Sequence, residues 1–111
     1  MLRRLAFSQG VGVSEVVLLL SADINIQRAY EWFEAQDEGR ADRFLAELDR
    51  LLGLLATFPE LGPVVYAARR RLLMREFNFG IFYTLIGVRV IVSNVLDLRS
   101  DPEWLREQFG E

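Results

Sequence analysis

Cysteine, histidine and lysine are all missing from this chain of 111 residues. Without cysteine there are no disulfides and no thiolate metal sites, and an intracellular setting is the simplest expectation. Without histidine the usual neutral-pH base is gone, and the two absences together remove the residues from which most zinc sites and most Ser-His or Cys-His nucleophile pairs are built. Any catalysis would fall to Asp, Glu, Arg, Tyr, Ser and Thr; no metal and no cofactor are expected. Because lysine is absent, all 13 basic residues are arginine, and against 16 Asp plus Glu they leave a net charge of −3. Phosphate neutralisation supplies most of the affinity of a nucleic-acid binder, so this balance disfavours direct nucleic-acid binding while allowing a local Arg patch. Long apolar runs are missing as well. The run at 16–20 is too short to span a membrane, and the opening residues resemble a signal-peptide start only until Gln9, Gly10 and Gly12 interrupt them. The expectation is a cytoplasmic protein with no membrane partner, in which residues 1–13 are an N-terminal extension of a single domain over residues 14–111.

What is present is globular: 51% apolar and 26% charged residues, in a chain large enough for a single core but small enough to be marginal alone. A mean hydropathy of +0.15 is high for so small a chain, and it suggests that part of the apolar surface belongs to a partner, a second copy included. Residues 15–21 are aliphatic and β-branched without alternation, as in a strand buried on both faces. Ser21 then offers an N-cap and Asp23 a first-turn acid, and Ile26, Ala29, Tyr30 and Phe33 recur at i, i+3, i+4 and i+7, predicting a helix over 22–36. After a turn at 37–39, an apolar stripe of Ala41, Phe44, Leu45, Leu48, Leu51, Leu52, Leu55 and Phe58 predicts a second helix over 40–57, closed by Pro59. A short link between two amphipathic helices predicts an antiparallel hairpin.

Beyond a loop at 59–63 the pattern turns to strands over 70–77, 79–86 and 89–96, with Gly87 at the last hairpin turn. In the final strand, alternation puts Val88, Val90, Val92 and Asn94 on one face and Arg89, Ile91, Ser93 and Val95 on the other. Asp101 and Pro102 open a terminal helix. The order β-α-α-β-β-β-α predicts an α+β domain: an antiparallel β-sheet with an N-terminal strand and an α-helical hairpin packed on one face.

Several residues stand out as candidates for function. Arg69, Arg70 and Arg71, with Arg75, are the densest basic feature, readable as an acidic-partner patch or as a solvated strand entry pairing with Glu60, Glu76 or helix carboxylates. Trp32 and Trp104 are either interface anchors or core closures. Phe77, Phe79 and Phe82 flank the middle strand, where one sheet face takes the hairpin and the other is a candidate docking groove. Tyr83 reads as packing, since its phenol has no lysine beside it to lower its pKa. Arg99, Ser100 and Asp101 read as a structural link, with Asp101 capping the last helix and Arg99 in a salt bridge, or as a vestigial catalytic turn.

The stretches VVLLLSADINIQRAYEWFEAQ, ADRFLAELDRLLGLLATFPELGP, FGIFY and VLDLRSDPEW, in this order and spacing, resemble the RelE/ParE superfamily of toxins from bacterial type II toxin–antitoxin systems, also known as plasmid stabilisation proteins. The resemblance covers residues 16–104. It implies one of two activities, ribosome-dependent mRNA cleavage in the RelE-like branch or poisoning of DNA gyrase in the ParE-like branch. In the ribonuclease branch, lysines precede the middle strand, an Arg lies in it and another in the turn after the last strand, often with a Tyr or His nearby. Those positions fall here at Arg71 and Leu73, at Gly80 and at Arg99, with Leu105 in place of a terminal Tyr and Asp97 where many ParE-like chains carry His. Arg99 is thus the one catalytic candidate the resemblance matches in kind, Arg71 and Tyr83 being weaker ones. The resemblance is closer to the ParE-like branch, implying a non-enzymatic toxin that inhibits DNA gyrase, neutralised by a cognate antitoxin whose disordered C-terminal segment folds onto the sheet and the hairpin. Arg71, Arg75, Phe77, Phe79, Trp32 and Trp104 are the candidates for binding antitoxin or target. The alternatives are a RelE-like endoribonuclease and an inactive family member that only binds an antitoxin.

Overall fold

The computed structural model of the chain describes residues 2–5 and 14–109. In chain order its elements are β1 (Leu2–Leu5), β2 (Glu15–Leu19), α1 (Leu20–Gln36), α2 (Arg40–Thr57), β3 (Val64–Tyr66), β4 (Arg69–Met74), β5 (Phe79–Ile86), β6 (Arg89–Asp97) and α3 (Pro102–Glu107). The strands form one six-stranded sheet in the order β1-β2-β6-β5-β4-β3. The α+β architecture expected from the sequence is present. Within it β2 pairs with β6 in parallel, Val16 opposite Val90 and Leu18 opposite Val92, so the sheet is mixed; the helices and the β3–β5 run supply the long crossover that a parallel pair needs. Leu2–Leu5, inside the segment expected as an extension, pairs antiparallel with β2. Residues 1 and 6–13 lie outside the described residues.

The hairpin covers one sheet face. Ala22, Ile26, Ala29 and Phe33 of α1 and Ala41, Phe44, Leu48, Leu51, Leu52, Leu55 and Ala56 of α2 are buried against Val16, Leu18, Ile81, Tyr83, Val90, Val92 and Val95 of the sheet. Two members of the predicted α2 stripe fall off it, with Leu45 36% and Phe58 58% exposed. The link between the helices turns at Gly39, whose φ of 84° lies in the left-handed region that glycine adopts without strain. Phe33, Phe44, Phe77 and Phe79 interlock with ring centroids 5.1 to 5.7 Å apart, and the Arg40 guanidinium closes the cluster 5.2 Å from the Phe33 ring.

Four local expectations are corrected. Ser21 is not the N-cap of α1. The helix starts directly from β2, its cap residue Leu19 makes no side-chain cap bond, and the Ser21 hydroxyl instead donates to the Ser93 carbonyl of β6 at 2.5 Å. The strand expected over 70–77 runs only from Arg69 to Met74, because a turn follows in which Asn78 takes a left-handed φ of 57° and Phe77 swings into the core. β3 occupies a stretch with no strand expectation; all of its residues are exposed, so it lacks the alternation that marks a half-buried strand. Strict alternation fails in β6 as well. Phe82 pairs with Asn94 and Tyr83 with Val92, leaving Ser93 as the extra residue of a bulge. The bulge switches face parity, so Val95 joins Val90 and Val92 in the core.

Candidate functional site

The turn after β6 is built from its own side chains. Arg99 donates from Nε to Oδ1 of Asp97 at 2.9 Å and from Nη2 to Oδ2 at 2.8 Å, and its backbone N–H also donates to Oδ1 at 2.8 Å. This fork holds the Asp97 carboxyl below the ordinary aspartate range: the side-chain hydrogen bonds from Arg99 lower it most, burial opposes them, and the backbone hydrogen bond adds to the lowering. Two residues on, the Asp101 side chain accepts from the Glu103 N–H at 2.9 Å, capping α3 with Pro102 in its first turn. The Leu98 N–H donates to the Asn78 carbonyl at 2.9 Å, tying this turn to the one between β4 and β5. Both Asp97 carboxylate oxygens, the Arg99 Nε and Nη2 groups and the Asp101 Oδ1 are therefore engaged within the turn itself.

The other ribonuclease-type positions are filled or diverted. At Gly80 an added Cβ would meet Phe82 Cε2 at 3.0 Å, Leu98 Cδ2 at 3.1 Å and Arg71 Cδ at 3.2 Å, so apolar atoms stand where a strand Arg would rise. Tyr83 is fully buried on the opposite face, where its hydroxyl donates to the Pro59 carbonyl at 2.8 Å and accepts from the Gly62 N–H at 2.9 Å. Burial raises its pKa, with the Gly62 hydrogen bond and the Arg70 charge working the other way. Arg70 Nη1 donates to the Gly62 carbonyl at 2.8 Å, holding the same loop.

The arginine run is divided by strand alternation. Arg70 shares the hairpin side with Tyr83, while Arg69 and Arg71 lie on the opposite face with Phe82. There Phe109 packs on Phe82, ring centroids 4.9 Å apart, beneath the Arg69 guanidinium at 4.4 Å from the ring. The Nε atoms of Arg69 and Arg71 are buried without a hydrogen-bond partner. Arg75 is exposed in the β4–β5 turn. Phe77 and Phe79, expected at a docking surface, are 2% and 7% exposed and belong to the core.

The two tryptophans are brought together. Trp32, 52% exposed, and Trp104, 41% exposed, line one cleft of about 310 Å3 between α1 and α3. Asn25, Arg28, Ala29 and Trp32 supply the α1 wall, a stripe spaced i, i+3, i+4 and i+7. Phe79, Val95 and Leu96 form its floor, and Asp97 and Ser100 join Trp104 on the far side. Sequence reading singled out both tryptophans but missed Arg28, whose position one turn before Trp32 was the available signal. A second concavity, about 420 Å3, opens on the hairpin, with Leu18, Ile26, Leu48 and Leu52 beneath the exposed Leu45. Among the described residues no cluster of acidic side chains could hold a metal ion, and no helix is long and apolar enough to cross a membrane.

Residues 16–102 match the family described as ParE toxin of type II toxin-antitoxin system, parDE. No curated protein matches the chain.

Proposed function

The chain belongs to the ParE toxin family of type II toxin–antitoxin systems, and from that membership we propose that it is a cytoplasmic, non-enzymatic toxin that inhibits DNA gyrase and is neutralised by a cognate antitoxin protein. The observation that carries the choice of mechanism is the closed Asp97–Arg99 fork. RNA cleavage by 2′-hydroxyl attack needs a proton acceptor, a proton donor and free positive charge at the phosphate. Here the one matched arginine is spent on Asp97, the Gly80 position faces Leu98, and the Tyr83 hydroxyl is engaged with the 59–62 loop. Inhibition through a binding surface needs none of these groups.

Two features support neutralisation by an antitoxin. The hairpin concavity offers an apolar floor of the kind an amphipathic segment covers. Arg69 and Arg71 lie half-buried on the opposite sheet face, and with the exposed Arg75 nearby in sequence as a rim charge they form a basic set that suits an acidic tail.

Induced expression in cells without the antitoxin tests the reading. Growth arrest with DNA breaks and intact mRNA is expected, and Arg99→Ala should leave the arrest in place. Ribosome-dependent mRNA cleavage that Arg99→Ala abolishes would replace this reading with the endoribonuclease one. A soluble, folded and harmless product would leave only the antitoxin-binding role.

A further inference from the structure

We propose that the cleft between α1 and α3 is a docking site for an acidic peptide segment, one that inserts a single large apolar or aromatic side chain between Trp32 and Trp104 and sets a carboxylate against Arg28. The inference stands on the geometry of the cleft and does not depend on gyrase being the toxin's target.

The apolar character of the cleft comes from its walls and floor. Both tryptophans of the chain line this one cleft, each substantially exposed. Trp32 is held edge-on by Phe33, centroids 5.3 Å apart, whereas no ring contact joins Trp32 to Trp104. The floor is core: Phe79, Val95 and Leu96 are 7%, 1% and 3% exposed. A rigid apolar floor between two aromatic walls, in a concavity of about 310 Å3, suits one bulky side chain and its flanking backbone. Tryptophan and arginine are also the residue types that dominate binding energy at protein interfaces.

The charged half decides the partner's sign. The charged side chains lining the cleft are Arg28 and Asp97. Asp97 is neutralised by the two-pronged bond from Arg99, so its charge is already answered. Arg28 is exposed and has no ion pair or hydrogen bond among the described residues. The cleft is therefore locally positive in a chain whose net charge is −3, and one free guanidinium matches one carboxylate. A polynucleotide could stack on the tryptophans, but it would bring a phosphate at every step to a cleft lined by a single free cation, in an acidic chain, which disfavours it.

The test selects peptides from a random dodecapeptide library on the full chain, then titrates synthetic tryptophan-free binders while following the protein's tryptophan emission. Both emitters line the cleft, so occupancy is read at the site. The expected result is a saturable emission change with peptides that carry carboxylates flanking a Leu or Phe. Affinity should weaken as salt rises and fall at least tenfold in Arg28→Glu, while Arg43→Glu, an exposed change on α2, leaves it within twofold. Circular dichroism should show both variants folded as the parent. The proposal is overturned by any of these outcomes: no saturable binder, a neutral or basic consensus, full affinity in Arg28→Glu, an oligothymidylate that changes the emission at lower concentration than the peptides, or an emission change produced by the protein's own self-association.

Discussion

Ser21 and Asn25 sit one helical turn apart on α1 and give their side chains to a strand. β2 pairs with β6 only as far as Val92, and beyond that point the edge of β6 would be left open. The Ser21 hydroxyl takes the Ser93 carbonyl, and Asn25 Oδ1 accepts from the Val95 N–H and from Asn94 Nδ2, each at 3.1 Å. Asn25→Ala would leave the buried Val95 N–H unpaired, a loss of about 1 to 3 kcal/mol. Urea unfolding should show that loss as a lower midpoint at unchanged slope; an unaltered midpoint would mean that water replaces the amide at no cost. Ser21 also shows where sequence reading stopped. A serine before a helical stripe carries a local rule for capping, and only the tertiary neighbour reveals that its hydroxyl is used elsewhere. Asp101, whose partner is two residues away, was legible for the converse reason.

The Asp97–Arg99 fork makes a second prediction at the same scale. Asp97 titrates lower in the folded chain than its unfolded value of about 3.9. Its contribution to stability is therefore complete above that pH and is lost as pH falls through the lowered folded value. The stability gap between the parent and Arg99→Ala should be constant near neutrality and close below about pH 4. Thermal unfolding across pH 2 to 7 measures it, and a gap that persists undiminished at the acid end would contradict the assignment.

At the scale of elements, the loop before β3 is held by three strand residues. Tyr83 takes the Gly62 N–H and the Pro59 carbonyl, Arg70 takes the Gly62 carbonyl, and the Arg71 N–H donates to the Pro63 carbonyl at 3.0 Å. The loop lies so close to β4 that a Cβ at Gly62 would come within 2.7 Å of the Arg71 carbonyl oxygen. Tyr83→Phe keeps the ring in the core and removes the hydroxyl, leaving the Gly62 N–H unsatisfied at a cost of about 1 to 3 kcal/mol. Faster amide exchange at Gly62, together with that loss in chemical denaturation, is the expected outcome; protection equal to the parent's would contradict the clamp. The elements most legible in the sequence were those with a strong period. α2 begins and ends where its leucine stripe and Pro59 place it, and β5 likewise matches. β3 and the Ser93 bulge were not legible, because one has no buried face and the other breaks the period of two on which strand reading rests.

Over the whole molecule, the order of elements carried the family resemblance, and the match over residues 16–102 agrees with it. The candidate site was only partly readable. Both tryptophans and Arg99 are recognisable by residue type, but the cleft that joins Trp32 to Trp104 depends on how α3 folds back past the end of β6. The same placement decided Phe77 and Phe79, which look like surface aromatics beside a strand and are buried by Phe33 and Phe44 of the hairpin. The proposed function rests on an acidic chain without histidine or lysine whose Arg99, the arginine the resemblance matches in kind, is paired with Asp97. The measurement that tests this most directly is supercoiling and DNA cleavage by purified gyrase with increasing amounts of the folded protein, with heat-unfolded protein as control. A gyrase inhibitor should abolish supercoiling with accumulation of cleaved DNA, unchanged in Arg99→Ala; full gyrase activity in the presence of excess folded protein would rule the proposed function out.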